Sequence, residues 1–283
     1  MPEGPEVWRE AAAVARVVEG EPIVRIELAW PAIAQHAKRL ATAQIDHVRP
    51  RGKAMTLAFS TGFSLVTHNQ LYGKWVVRKV APPTHRNALR VLIETARGVA
   101  MLYSATDIHW LPTGEVDAHP YIAKLGPDAL DATTTAVGVR ARLLDKRFRQ
   151  RSLAALLLDQ AFVAGLGNYL RSDILFFARV QATLKPAQCT GDELDALAHA
   201  IVEMPRQSFR TRGITVNPAL ALDLKREGWR FARYRHWVFD REGEACHVCA
   251  TAISRVVIGG RNVFFCSTCQ RNARGGMAEP AGV

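Results

Sequence analysis

Four cysteines near the end of the chain, Cys246-x2-Cys249-x16-Cys266-x2-Cys269, have the spacing of a metal centre. Each Cys-x2-Cys turn aims two thiolates at one ion, and two such turns complete a tetrahedral zinc site. Four thiolates leave no open coordination position, so the single Zn2+ expected here is structural, not catalytic. Between the two pairs, residues 253–258 and 261–265 flank Gly259-Gly260, the pattern of a β-hairpin. A hairpin core is too small to hold itself, and the metal staples it. Arg261 stands next to the hairpin tip, where a guanidinium on a rigid support suits phosphate oxygens. Its bland alternative is a solvated surface arginine. Cys189 falls outside the set and reads as an ordinary thiol flanking a helix.

The other end of the chain offers a nucleophile. In Met1-Pro2-Glu3-Gly4-Pro5-Glu6 the initiator Met precedes a small residue, and its removal exposes a secondary amine on Pro2. About a tenth of an α-amino group is neutral at pH 7, against less than about a thousandth of a lysine, and proline's greater basicity narrows that gap without closing it. A neutral amine attacks a sugar C1′ to give an iminium ion, and a secondary amine gives one that is charged at once. Glu3, adjacent, has the chemistry of a general acid or base when burial raises its pKa. Taken alone, Pro-Glu-Gly-Pro-Glu also reads simply as a helix start, with Pro5 in the first turn and acids near the dipole.

The elements that must position these groups fall into three regions. A helix is expected over 6–19, with Val7, Ala11, Val14 and Val18 as its apolar stripe and Gly20 as its stop. Short β-branched alternating runs follow at 23–30, 45–48, 54–59, 64–68, 75–80, 88–94 and 99–104, the texture of a β-sandwich or barrel. A Pro- and Asp-containing connector around 117–135 marks a boundary. Beyond it, helical patterns cover 137–144, 152–162, 168–178 and 191–204. A polar stretch, 211–235, expected to be irregular, leads to the cysteine module. No internal repeat is visible.

The chain of 283 residues carries 37 Lys+Arg against 26 Asp+Glu, a net charge of +11 that points to a polyanionic partner. Hydrophobic residues make up 48%, enough for real cores and against disorder. No apolar run has the length of a spanning helix, and the acidic, Pro-rich start is unlike a signal peptide. The expectation is a soluble intracellular protein, in which free thiols serve a metal better than disulfides.

The pieces occur in a telling order. The N-terminal Met1-Pro2-Glu3-Gly4-Pro5-Glu6 is followed by Arg51-Gly52-Lys53, then His68-Asn69-Gln70-Leu71-Tyr72-Gly73. Leu157-Leu158-Asp159-Gln160 comes next, with Gly165-Leu166-Gly167-Asn168-Tyr169-Leu170 and finally the four-cysteine hairpin. Together they resemble the endonuclease VIII branch of the formamidopyrimidine-DNA glycosylase family over nearly the whole chain, to about Gln270.

The resemblance implies a role for each residue. Pro2 looks like the family's nucleophile and Glu3 like its acid/base. Lys53 looks like the hairpin lysine beside the lesion phosphate that assists β-elimination, where the residue alone would read as a solvated turn lysine. Gln70, Leu71 and Tyr72 match the wedge that fills the hole left by an everted nucleotide, although Leu71 and Tyr72 alone would read as core residues. Asn168 matches the phosphate contact of the helix–two-turn–helix, a role compatible with ordinary helix capping. Arg261 matches the zinc-finger arginine tied to phosphate binding and δ-elimination. Lys124, where the branch often has Arg, is expected to make a weaker phosphate contact. Residues 214–230 look longer and more charged than the family pattern.

The expected fold class is α+β and multidomain: an N-terminal helix plus β-sandwich catalytic domain (1–125), a helical helix–two-turn–helix domain (126–235), a zinc β-hairpin (236–272) and a tail (273–283). The implied activity is a bifunctional DNA glycosylase/AP lyase acting on double-stranded DNA with oxidised bases or abasic sites. DNA is expected in a basic cleft between the domains, and the protein is expected to be monomeric, bacterial, cytoplasmic and nucleoid-associated. The wedge favours oxidised pyrimidines. The alternatives are an oxidised-purine glycosylase of the same family, a non-catalytic damaged-DNA-binding zinc protein, or an RNA-associated zinc ribbon that leaves the N-terminal constellation unused.

Overall fold

The computed structural model describes residues 2–83 and 88–270. Met1 and the tail expected over 273–283 lie outside them. The chain divides into two compact units, Met1–Leu125 and Gly126–Val283.

In the first unit, α1 (Gly4–Val18) begins at Glu3, whose extended backbone makes it the N-cap. Glu6 Oε2 accepts from Glu3 N at 3.1 Å, one arm of a capping box that starts the helix earlier than apolar periodicity alone indicates. The stripe Val7, Ala11, Val14 and Val18 is buried as expected. Gly20, at φ +75°, turns the chain out of the helix.

Then come β1 (Arg25–Leu28), a 3-10 turn at Ala34–His36, and the one-turn α2 (Ala37–Leu40). The remaining strands are β2 (Ile45–Arg51), β3 (Ala54–Phe59), β4 (Phe63–His68), β5 (Lys74–Arg78), β6 (Leu89–Thr95), β7 (Gly98–Tyr103) and β8 (Asp107–Pro112). They form two antiparallel four-stranded sheets, ordered β1-β6-β7-β5 and β2-β3-β4-β8. Leu57 and Leu65 of one sheet share a core with Ile93 and Leu102 of the other and with Val14 and Val18 of α1. That common core makes the unit a β-sandwich with α1 packed against β2, β5 and β7. Pro50, which cannot donate to a ladder, sits in β2 at a sheet edge, where the missing N–H costs least. β8 was not expected, because Asp107 and His109 interrupt its apolar pattern. It nevertheless completes the second sheet by pairing with β4, His68 opposite Asp107.

The second unit contains α3 (Ala136–Leu144), α4 (Leu153–Leu156), α5 (Asn168–Phe177), α6 (Gly191–Arg210), α7 (Pro218–Arg226) and α8 (Phe231–Tyr234), followed by β9 (Ser254–Ile258) and β10 (Arg261–Phe265). Leu143, Leu157, Leu170, Ile174, Leu197 and Ile201 meet in its core. The helix expected over 152–162 stops after one turn, since Asp159 and Gln160 bond local backbone instead: Ala161 N donates to Asp159 Oδ1 at 2.8 Å and Gly165 N to Gln160 Oε1 at 3.0 Å. Conversely, α6 continues past 204 through Pro205, whose buried position outweighs the lost hydrogen bond. The stretch 211–235 is not irregular throughout. Asn217 caps α7 through Ala219 N at 2.8 Å, Pro218 fits the first turn, and Ala221 and Leu224 are buried. Among the described residues no helix is long and apolar enough to cross a membrane.

Candidate active site and metal centre

Pro2 is half-buried immediately before α1, and Glu3 beside it is 4% exposed. Lys53 follows Gly52, whose φ of +62° makes the tight turn between β2 and β3. Lys53 is buried, not a solvated turn lysine, and its backbone N–H donates to Tyr121 Oη at 3.0 Å. Tyr121 meets His68 edge-on at 5.1 Å. Burial holds the His68 imidazole below its ordinary pKa; Lys53 adds to this and Asp107 opposes it. A neutral imidazole therefore flanks the lysine near neutrality, adding no competing cation. Asp107 pairs with His109 at 2.6 Å, and His109 in turn packs on His119 at 4.7 Å.

Gln70, Leu71 and Tyr72, expected from the resemblance to form a wedge, sit on the turn between β4 and β5. Leu71 and Tyr72 are 59% and 78% exposed, so neither belongs to a core. Gln70 adopts φ +50°, an uncommon backbone for a residue with a side chain. It is held at both ends: its N–H donates to His68 Nδ1 at 3.1 Å, and its Oε1 accepts from Thr106 Oγ1 at 2.8 Å. Gly73 N closes the turn on Asn69 O at 2.7 Å. Two large apolar side chains thus project from a turn whose backbone is fixed. Lys124 is exposed at the 3-10 turn Ile122–Lys124.

In the second unit, Gly165 at φ +92° leads through Leu166-Gly167 into α5, with Asn168 as its first residue. The Gln160 side chain builds this turn, donating to Leu158 O and Leu166 O at 3.0 and 2.9 Å. Asn168 Oδ1 accepts from the buried guanidinium of Arg171 at 2.6 Å, which commits the amide to present its Nδ2 as the donor. The same guanidinium donates to Asn262 O at 2.8 Å and Ala154 O at 3.1 Å. Asn262 follows Arg261, so one buried cation ties the α5 turn to the hairpin that carries the exposed Arg261. Gln270 makes a second tie, accepting from Cys266 N at 2.9 Å and donating to Val180 O at 3.0 Å.

Cys246, Cys249, Cys266 and Cys269 bring their sulfurs within 4.8 Å of one another. Separations of 3.4 Å (Cys249–Cys266), 3.5 Å (Cys249–Cys269) and 3.9 Å (Cys246–Cys269) bracket the value of about 3.8 Å that tetrahedral Zn–S bonds dictate. Backbone N–H groups of Val248 and Cys269 point at Cys246 Sγ and Cys266 Sγ. Hydrogen bonds from Thr251 lower the Cys249 thiol to about 6, whereas burial pushes Cys269 up. Crowded thiols cannot all ionise without a cation, and zinc supplies the charge that lets them. The donor set fits one structural zinc.

Comparison with known proteins agrees with these features along the chain. Residues 1–106 match the formamidopyrimidine-DNA glycosylase N-terminal domain, 125–218 its H2TH domain, and 243–272 the zinc finger found in FPG and IleRS. The chain is 42% identical over 271 residues to Endonuclease 8 of Klebsiella pneumoniae, covering 95% of this chain and 100% of that protein. The chain belongs to the formamidopyrimidine-DNA glycosylase/endonuclease VIII family. Endonuclease 8 of an Escherichia coli strain is 40% identical with the same coverage. Among solved structures, Lactococcus lactis Fpg bound to abasic-site DNA superposes with a TM-score of 0.77 at 22% identity, covering 95% of this chain and 100% of that one, a likeness of fold. Family members are DNA glycosylases with AP lyase activity, which places this chain among the base-excision repair enzymes. The residues that sequence reasoning passed over are ones that hold others in place, Arg171 and Thr106, each indistinguishable by pattern from a solvated polar residue; Gln160 was noticed only as part of a motif, without the turn-building role it has.

Proposed function

We propose that this chain excises oxidised pyrimidines from duplex DNA, using the Pro2 amine as nucleophile once Met1 has been removed. The observation that carries this reading is one compact unit holding Pro2 and buried Glu3 at the start of α1, a buried Lys53, and an exposed Leu71-Tyr72 pair on a fixed turn. Leu71 and Tyr72 fill the space of the everted nucleotide, offsetting an unstacking cost of a few kcal/mol. The Pro2 nitrogen attacks C1′, the C1′–N bond of the base breaks, and Glu3 delivers a proton during base release and sugar opening. The resulting iminium withdraws electrons from C2′. Loss of a C2′ proton then expels the 3′-phosphate, and δ-elimination expels the 5′-phosphate. A one-nucleotide gap with phosphates at both ends remains.

In this reading Lys53 and Lys124 contact phosphates on the first unit, while Asn168 and Arg261 do so on the second. The hydrogen-bond arrangement supports the Asn168 role, since Arg171 leaves the amide nitrogen as the outward donor. The enzyme works as a monomer on nucleoid DNA. The pyrimidine preference rests on the Gln70-Leu71-Tyr72 wedge and on the Endonuclease 8 relatives.

Borohydride trapping on duplexes carrying 5-hydroxyuracil, 8-oxoguanine or an abasic site tests the reading. A covalent adduct with 5-hydroxyuracil, absent in Pro2→Gly, is expected, with much less on 8-oxoguanine. A reversed lesion ranking transfers the chain to the purine branch. No adduct from zinc-loaded protein lacking Met1 overturns the lyase mechanism and leaves a damage-binding protein.

A further inference from the structure

Glu10 has no place in the chemistry above, yet its carboxylate is directed at the wedge. It lies on α1 seven residues beyond Glu3, two helical turns along the same face. Glu10 Oε2 accepts from Asn69 Nδ2 at 2.7 Å and lies 3.5 Å from Trp75 N. Asn69 is itself buried and directly precedes Gln70-Leu71-Tyr72, while Trp75 is the second residue of β5, just beyond the turn. One carboxylate oxygen therefore meets both shoulders of the wedge turn. The turn has little other freedom. A Cβ on Gly73 would stand 2.5 Å from Asn69 O and 2.8 Å from Asn69 Cα, so the end of the turn already lies against the Asn69 backbone.

Burial disfavours the charged form of Glu10 and raises its pKa, with Glu6 adding to the rise; Asn69, Trp75 N–H and Lys74 act against it. Placing a carboxylate on a partly buried helix face next to the turn is costly unless the turn returns hydrogen bonds. The residue that best returns one is Asn69, whose amide donates a short bond to it.

We infer that Glu10 is a positioning residue for base eversion: it locks the Gln70-Leu71-Tyr72 turn to the helix whose N-terminus carries Pro2 and Glu3. The inference rests on the wedge role proposed above. Because α1 is one rigid element, fixing the turn at Glu10 fixes where Leu71 stands relative to the Pro2 amine. A wedge freed from α1 samples more positions, so eversion is slower and the everted sugar meets the nucleophile less often. The loss then falls on steps that need eversion and spares chemistry on a sugar already unstacked.

The test compares zinc-loaded wild type, Glu10→Ala, Glu10→Gln, Leu71→Ala and the Glu10→Ala/Leu71→Ala double variant on two substrates. One is duplex 5-hydroxyuracil, which requires eversion; the other is a single-stranded abasic oligonucleotide, which does not. Glu10→Ala is expected to slow duplex excision about tenfold while single-stranded strand cleavage stays within about twofold. Glu10→Gln, which can still accept from Asn69, is expected to recover most of the duplex rate. The double variant is expected to be no slower than Leu71→Ala, because both act through one wedge. A 2-aminopurine beside the lesion should report a slower eversion step in Glu10→Ala. Wild-type duplex rates in Glu10→Ala, or equal losses on both substrates, overturn the inference. If Leu71→Ala itself leaves duplex excision unchanged, it is the wedge reading that falls, a result distinct from failure of the Glu10 anchor alone.

Discussion

Replacing Arg171 with Ala should destabilise the second unit far more than it alters electrostatic attraction to DNA. The guanidinium is 1% exposed and donates to Ala154 O, Asn168 Oδ1 and Asn262 O. Hydrogen bonds to a charged group contribute about 1.5–3 kcal/mol each, a gross of roughly 4–9 kcal/mol for three. Part of that is offset because burying the cation is itself costly, and removing one partner from a buried charged network typically costs about 3–5 kcal/mol. For a unit of this size each kcal/mol moves the midpoint by about 2–4 °C, so a loss near 10 °C is expected. The assay is thermal and urea unfolding of the zinc-loaded chain, paired with duplex affinity across a salt series. Arg171 is buried, so on the proposed reading, in which Asn168 contacts phosphate, the variant should bind more weakly because Asn168 loses its orientation, with the salt slope unchanged. Arg261→Ala should do the opposite, keeping stability and reducing the slope by about 0.9. If Arg171→Ala unfolds within about 1 kcal/mol of wild type, the three bonds carry no net stability and the coupling of turn to hairpin fails. A slope that drops by about one in Arg171→Ala would show the guanidinium reaching DNA, against its burial.

Zinc removal should release the hairpin first: chelation of the four thiolates is expected to abolish the β9–β10 protection in hydrogen exchange while β2–β8 of the sandwich stay protected, since the first unit contains none of the four ligands. Asp173 is fully buried. Burial alone would raise its carboxyl, but His236, Thr215 and Val238 N–H outweigh it and hold it below the ordinary value. A lowered folded pKa supplies stability above pH 3.8 that is lost as pH falls through the folded value, so wild type should weaken steeply in acid while Asp173→Asn, weaker near neutrality, shows a flatter acid limb in pH-dependent unfolding. Glu10 has the opposite sign. Its raised pKa means the ionised form lowers stability above that value, so the melting-temperature difference between Glu10→Gln and wild type should grow more favourable to the variant from pH 4 to pH 8. Gly73→Ala, forced against Asn69 O, should open the wedge turn and slow duplex excision without changing zinc content.

The legible parts of the fold were those written in short-range pattern. The short apolar runs at 54–59 and 99–104 and the 3.6-residue stripe of α1 each state an element, and each element is found; the stripe is buried as expected, whereas the two strands are buried at nearly every position rather than on one face. β8 escaped because its exposed face carries Asp107 and His109, whose charge reads as loop until β4 lies beside it. The short α4 was misjudged because residues 152–162 are apolar enough for a helix, and only the local bonds of Asp159 and Gln160 end it. In the site, residue types with unusual chemistry stood out: a Pro after Met1, four spaced thiols, a Gly-Lys turn. Glu10 and Arg171 did not. Their partners lie 59 and 91 positions away, and on a helix an isolated charge looks the same whether it faces water or a buried amide.

Both units solve the same mechanical problem with one helix. A side chain that must meet a reacting sugar or a phosphate to within a fraction of an ångström cannot be placed by a loop alone, because loops are the least stable parts of a domain. α1 presents Pro2 and Glu3 at its N-terminus and, two turns on, grips the wedge turn through Glu10 and Asn69. α5 presents Asn168 at its N-terminus and, one turn on, grips the zinc hairpin through Arg171 and Asn262. In each case the turn or hairpin is tied to the helix that carries the candidate site residues, so errors in its position do not accumulate along the chain. The two grips also differ in a way that bears on function. The α5 grip is a fully buried cation that donates to Ala154 O, Asn168 Oδ1 and Asn262 O, and its rupture is expected to cost folding stability. The α1 grip is a partly buried carboxylate with a raised pKa, held by Asn69 and close to Trp75 N. If Leu71 enters and leaves the duplex once per turnover, as proposed, the second kind of grip suits it, because it ties the turn to α1 through one side-chain pair, Glu10 and Asn69.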